Sequence, residues 1–165
     1  MAETPNIINI TPADHNDIEQ IVLLTKQLLI SHLDYDGEYF QLDVNHRQAI
    51  TDWVKYHLGA ANQFILVARP DAGQPEICGF ISGYIKPLFP WFKIKQVGHI
   101  SFLAVKEKWR RLGIGRQLES EAYLWFKNKG EGYIEVYTNE KNNPGLSAWQ
   151  RYGYQPFNRF LRKKI

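Results

Sequence analysis

The sequence predicts an α+β domain built on a mixed, mostly antiparallel sheet flanked by helices. Three observations carry that expectation. One short apolar run precedes two stretches with helical periodicity. Apolar runs separated by turn formers then follow, as in antiparallel hairpins. A strand–helix–strand unit, a further helix and a last strand close the chain. With 165 residues, 44% of them hydrophobic and 14% aromatic, the chain is long and apolar enough to fold as one domain spanning residues 1–165.

Each element has its own signal. The apolar run 7–10 reads as the first strand, and Thr11-Pro12-Ala13-Asp14 reads as a helix start, with Thr at the N-cap and Pro in the first turn. Ile18, Ile21, Val22, Leu24, Leu28 and Leu29 recur at helical spacing to about residue 31. Residues 32–40 interleave Asp34, Asp36 and Glu38 with aromatics around Gly37. A second helix is expected from Asp43 to Leu58, with Gly59 ending it. Strands follow at 64–68 and 77–85, joined by the turn-forming 70–75. Leu88–Phe92 is an aromatic loop, and 98–105 is a further strand. Leu118, Ala122 and Phe126 mark a helix from Gly113 to about Lys129. A strand at 133–138, a short helix at 146–152 and a final strand at 155–161 complete the expectation.

Composition narrows the function. The net charge of +3 suits an anionic ligand without demanding nucleic acid. Arg159, Arg162, Lys163 and Lys164 form a basic tail with Phe157 and Phe160 between them; it reads as a solvated last strand, with an RNA-binding patch as the less favoured alternative. Cys78 is the only cysteine, so there is neither an internal disulfide nor a cysteine-based zinc site, and no metal is expected. No apolar run approaches the roughly 20 residues needed to span a bilayer. The N-terminal residues lack the basic start and apolar run of a signal peptide, so a cytoplasmic location is the expectation.

The chemistry concentrates in residues 103–116. A Leu-x-Val strand passes through a basic turn and opens a helix with Gly113 and Gly115. Glycines let a ligand approach the backbone, and the helix start presents unpaired N–H groups at the positive end of its dipole. With Arg110, Arg111 and Arg116 alongside, the stretch suits phosphates. It is not a Walker loop, which needs Gly-Lys-Ser/Thr where this chain has Gly115-Arg116-Gln117. A dinucleotide fingerprint would place a third glycine where Leu118 stands.

Arg110-x-x-Gly113-x-Gly115 directly after Leu103-x-Val105 resembles the acetyl-CoA signature of the GNAT acyltransferase superfamily. The element order resembles that fold over nearly the whole chain. The resemblance implies a splayed strand pair that holds acetyl-CoA, with coenzyme A as product. Leu103, Ala104 and Val105 would pair with the pantetheine arm, and the Val105 N–H would polarise the thioester carbonyl. Arg110, Arg111, Leu112, Gly113, Ile114, Gly115 and Arg116 would wrap the pyrophosphate.

The family's later Asn, small residue, Tyr and Gly-Phe map onto Asn142, Gly145, Trp149 and Gly153-Tyr154, with Asn143 competing for the Asn position. Trp149 departs from the usual tyrosine, and an indole N–H is too weak an acid to protonate the leaving thiolate. Three alternatives stand: Tyr152 supplies the proton, solvent does, or the protein binds acyl-CoA without rapid turnover. His99, six residues before Val105, matches a histidine that some family members use as a base; a structural histidine is the alternative. Strand alternation would put His99, Ser101, Leu103 and Val105 on one side.

The resemblance places the acceptor among residues 32–40 and 88–92. There Asp34 and its acidic neighbours would meet a cationic amine, and Tyr35 and Trp91 would pack on its body; an acidic solvated loop with its aromatics anchored in the core is the alternative. The expected partner is an amine-bearing small molecule or peptide. Phe89, Trp91 and Phe92 read either as a substrate wall or as a contact patch, which leaves a homodimer open.

Overall fold

The computed structural model describes residues 8–71 and 73–165. Ile7, assigned to the first strand, and Ala72, in the 70–75 turn, lie outside the described residues. The element order is β1 (Asn9–Pro12), α1 (Ile18–Ser31), α2 (His46–Leu58), β2 (Gln63–Arg69), β3 (Gly79–Pro87), β4 (Gln96–Val105), α3 (Ile114–Asn128), β5 (Ile134–Val136) and α4 (Asn143–Arg151). The strands form one five-stranded sheet in the order β1-β2-β3-β4-β5. All neighbours are antiparallel except β4 and β5, whose parallel pairing needs the α3 crossover. The expected α+β architecture with a mixed, mostly antiparallel sheet is the one observed.

Two apolar layers cover the two sheet faces. Ile21, Val22 and Leu24 of α1 join Ile50 and Val54 of α2 on Val67, Phe80 and Ala104. On the opposite face Ile114, Leu118, Ala122 and Phe126 of α3, spaced four residues apart, pack on Phe64, Ile81 and Ile100. Gly98 lets α3 come close, because a Cβ there would meet the Phe126 ring at 2.6 Å. Near the entrance to α1, the Arg69 guanidinium donates to the buried Asp17 carboxylate at 2.5 Å, tying the end of β2 to the helix start.

Several expectations need correction. Thr11 and Pro12 end β1 instead of starting a helix. Asp14 is the cap, accepting from the Asn16 N–H and forming a capping box with Asp17 on a 3₁₀ turn that leads into α1. Helix α2 begins at His46, after Asp43 has accepted the Asn45 N–H in a local turn. Helix α4 begins earlier than expected, because the Asn142 side chain caps it by accepting the Gly145 N–H at 3.0 Å.

The final strand expected at 155–161 does not form. Residues 155–165 carry no ladder pairing, and Phe157, Phe160 and Leu161 are exposed. The tail is held by ion pairs instead: Arg159 with Glu140, Arg162 with Asp36, and Lys164 with Glu38.

Candidate active site

Strand β4 offers a ligand an open edge, because half of it lacks a second partner. It pairs with β5 only from Gly98 to Ile100, while its pairing with β3 runs to Val105. Beyond Ile100, β4 and β5 part. The Lys106 N–H donates to Cys78 O at 2.8 Å across the β3 side. By the alternation of an antiparallel ladder, the N–H and C=O groups of Leu103 and Val105 then point away from β3, toward the opening. The Val105 carbonyl, accepting from Arg110 Nε at 3.1 Å, fits this orientation.

A β-bulge sets that phase. The register shifts so that Ser82 faces Phe102 while Gly83 faces Ile100, leaving Ser101 as the extra residue. Ile100, Leu103 and Val105 consequently pack on the α3 face, and Phe102 and Ala104 on the α1–α2 face. His99, next to Ile100, lies on the α1–α2 face. It is therefore opposite Leu103 and Val105, not beside them as unbroken alternation implied.

The turn after β4 passes through a 3₁₀ segment, Glu107–Trp109, and reaches α3 through two left-handed residues, Arg111 at φ 63° and Gly113 at φ 79°. Gly113 offers no side-chain cap, and the first backbone acceptor in the helix is taken only by the Gln117 N–H. The N–H groups of Ile114, Gly115 and Arg116 are thus available at the dipole's positive end. A Cβ on Gly113 would meet nothing within 4 Å, so this corner opens outward. Cavities flank it: about 500 Å3 against α1, with Lys106 and Arg110 in its lining, and about 380 Å3 beside β1, with Gly113 and Arg116.

Tyr152 reaches the same corner. Its hydroxyl would lie 3.0 Å from a Cβ on Gly115, and the Leu103 side chain 3.9 Å from it. Burial pushes the Tyr152 phenol above its ordinary pKa, so it stays protonated near neutral pH. Arg116 donates to the Arg151 carbonyl at 3.1 Å, linking the start of α3 to the end of α4. Trp149 is half-buried among the α3-side apolar residues, edge-on to the Tyr152 and Tyr154 rings. Asn142 is committed to capping α4, and Asn143 is exposed.

His99 is buried between the Tyr84 and Tyr137 rings, 5.1 and 4.7 Å from its own. Its Nδ1 has no hydrogen-bond partner. Burial, then the Lys86 charge, lower its pKa, which keeps the imidazole neutral. Lys86 forms an ion pair with Glu135 and donates to the Tyr137 hydroxyl at 3.0 Å. Sequence reasoning missed Tyr84, Lys86, Glu135 and Tyr137; the alternate spacing of Tyr84 and Lys86 on β3, and of Glu135 on β5 and Tyr137 just past it, is the signal that could have grouped them with His99.

The expected acceptor residues are only partly gathered. Asp34 is exposed on a 3₁₀ turn, and the Tyr35 carbonyl accepts from Lys141 Nζ at 2.8 Å, which sets this segment against the residue before Asn142. Trp91 stands elsewhere, 72% exposed at the β3–β4 tip and stacked on Phe89 at 4.7 Å. Cys78 is buried with its thiol donating to the Ala68 carbonyl, and burial raises its pKa, as suits a structural thiol. Among the described residues, no three His, Cys, Asp or Glu side chains are gathered to hold a metal, and no helix is long and apolar enough to cross a membrane.

Sheet and corner together define the class: an α+β fold whose mixed sheet opens beside an uncapped helix start flanked by Arg110, Arg111 and Arg116. The chain belongs to the acetyltransferase (GNAT) family, whose sequence pattern matches residues 28–154. It is similar to an N-alpha-acetyltransferase of Sulfurisphaera tokodaii, 33% identical over 91 residues, covering 48% of this chain and 53% of that relative. An N-alpha-acetyltransferase of Sulfolobus acidocaldarius is 25% identical over 151 residues, covering 85% of this chain and 75% of the relative. The chain thus spans about half the length of the first relative and three quarters of the second. A mutant of the BH1408 protein from Bacillus halodurans shares the fold with a TM-score of 0.84 at 19% identity, over 95% of this chain and 99% of that one. A predicted acetyltransferase from Clostridium acetobutylicum, solved with acetyl-CoA, superposes with a TM-score of 0.75 at 18% identity, over 96% of both chains.

Proposed function

We propose that the protein moves an acetyl group from acetyl-CoA directly to a primary amine, on a small molecule or a peptide, within one ternary complex. One observation carries this reading: an uncapped, cationic α3 start lies next to a β4 segment whose Leu103 and Val105 N–H groups face an unpaired side. Residues 110–116 would hold the diphosphate, Leu103–Val105 the pantetheine arm, and Gly145 and Trp149 of α4 would flank it. Acetyl-CoA, when bound, supplies the activated thioester; the rest is done by the chain. The Val105 N–H donates to the carbonyl oxygen as negative charge builds there. The neutral His99 imidazole takes the amine proton through water, since the β4 bulge has turned it to the α1–α2 face. The Tyr152 hydroxyl gives a proton to the departing thiolate. Asp34 and Tyr35 would receive the acceptor, and the cytoplasm is the proposed place of action.

Trp149, standing where the family has tyrosine, favours a second reading in which the protein holds acyl-CoA with little turnover. Two measurements decide. Acetyl-CoA should raise the unfolding temperature, and an amine panel should release thiol. Protection without thiol release supports the second reading; neither effect overturns both.

A further inference from the structure

The basic tail that forms no strand is seated on the acidic segment between α1 and α2. Arg162 pairs with the Asp36 carboxylate, and its guanidinium lies over the Tyr39 ring, 4.9 Å from the centroid. Lys164 Nζ donates to both Glu38 oxygens at 3.0 Å. Arg159 adds a pair with Glu140, next to Lys141, whose ammonium holds the Tyr35 carbonyl. The Arg162–Asp36 and Lys164–Glu38 contacts each join residues 126 positions apart. The Asp36 carboxyl, accepting from the Tyr39 N–H and from Arg162, is held down at about 2, so it remains charged at any ordinary pH. Carboxylates and an aromatic face are the chemistry that would receive a cationic acceptor, and here a guanidinium and an ammonium of the same chain already occupy them.

We propose that the C-terminal tail is an autoinhibitory strap: Arg162 and Lys164 occupy Asp36, Glu38 and Tyr39 and compete with a cationic acceptor for that surface. The proposal rests on the amine-acceptor reading above and adds its regulation. Exposed ion pairs are individually weak and screened by salt, so the strap exchanges readily and its grip depends on ionic strength. Such a contact suits a competitor that an acceptor can displace.

The test compares the full chain with a double variant, Arg162→Ala with Lys164→Ala. Both side chains are at the surface, so the fold should be kept. With a lysine- and arginine-bearing peptide amine, the KM of the variant should fall about threefold or more at low salt, as the loss of two exposed pairs implies. Its kcat, its KM for acetyl-CoA and its KM for an uncharged amine should not move, and added salt should erase the difference. Equal peptide KM values in the two proteins would overturn the strap. A second arm is independent of catalysis: a labelled peptide with the sequence of residues 156–165 should bind the double variant more tightly than the wild type. Adding Asp36→Asn and Glu38→Gln to the variant should remove that binding. If no amine releases thiol, the transfer reading fails while the labelled peptide still decides the strap. Equal peptide binding by all three proteins refutes it.

Discussion

Two glycines at opposite ends of α3 separate a backbone effect from a binding effect. Gly113 at the start has φ 79°, Gly130 just past the end has φ 83°, and a Cβ on either would meet nothing within 4 Å. Alanine at each site therefore suffers the same conformational strain and no clash. A left-handed L-residue costs about 1–2 kcal/mol. The stiffer unfolded chain offsets about 0.4–1 kcal/mol of that. The net loss is about 1 kcal/mol, which lowers the unfolding temperature by about 2–4 °C in a chain of this size. Gly113→Ala and Gly130→Ala should match in the absence of cofactor. They should part when acetyl-CoA is added, because only the Cβ at 113 intrudes where the diphosphate is proposed to approach the Ile114, Gly115 and Arg116 amides. Thermal unfolding across an acetyl-CoA titration reads both quantities. Equal protection of the two variants would refute the placement of the diphosphate, and unequal losses without acetyl-CoA would refute the strain argument.

Other consequences are open to the same kind of check. Tyr152→Phe should lower kcat by about a hundredfold, the lower end of what a positioned acid contributes, with the KM for acetyl-CoA unchanged; steady-state kinetics showing unaltered kcat would leave thiolate protonation to solvent. His57 and His99 both have pKa values pushed below 6.5 by burial. A depressed histidine resists protonation only in the folded state, so stability should hold above pH 6.5 and decline as pH falls through the folded values. Replacing both histidines by Gln should flatten that decline in denaturant titrations, and an unchanged slope would contradict the burial argument. Gly98→Ala forces a methyl against the Phe126 ring and should destabilise by about 1–3 kcal/mol, as overpacked cores do; a neutral urea midpoint would show that α3 can move off the sheet.

What the sequence made legible follows from where the information sits. Leu103-x-Val105, Arg110, Gly113 and Gly115 are local, and together they specify a strand, a turn and a helix start without help from distant residues. The stripe Leu118, Ala122 and Phe126 gave the buried face of α3 in the same way. Gly83 on β3 reads as a thin or bulged point and does stand at the register shift, but that Ser101 of β4 is the extra residue follows only from the pairing of the two strands. That extra residue reversed the side assigned to His99. The setting of His99 depends on Lys86, Glu135 and Tyr137, which lie on other strands or just past one and meet only through sheet order. Residues 155–161 have the composition of a strand, but strand formation needs a neighbouring edge, and Arg162 and Lys164 draw the tail toward Asp36 and Glu38 instead. The start of α1 was misplaced because Thr11-Pro12 imitates a cap that Asp14 in fact supplies.

In the proposed complex, backbone amides of β4 and the α3 start, with the arginines around them, grip acetyl-CoA. Amide-resolved NMR of the protein titrated with acetyl-CoA tests that grip most directly. The amides of Leu103, Val105, Ile114, Gly115 and Arg116 should shift most and exchange more slowly with solvent. Saturable binding that leaves those five amides unmoved and perturbs another surface would contradict the proposed grip.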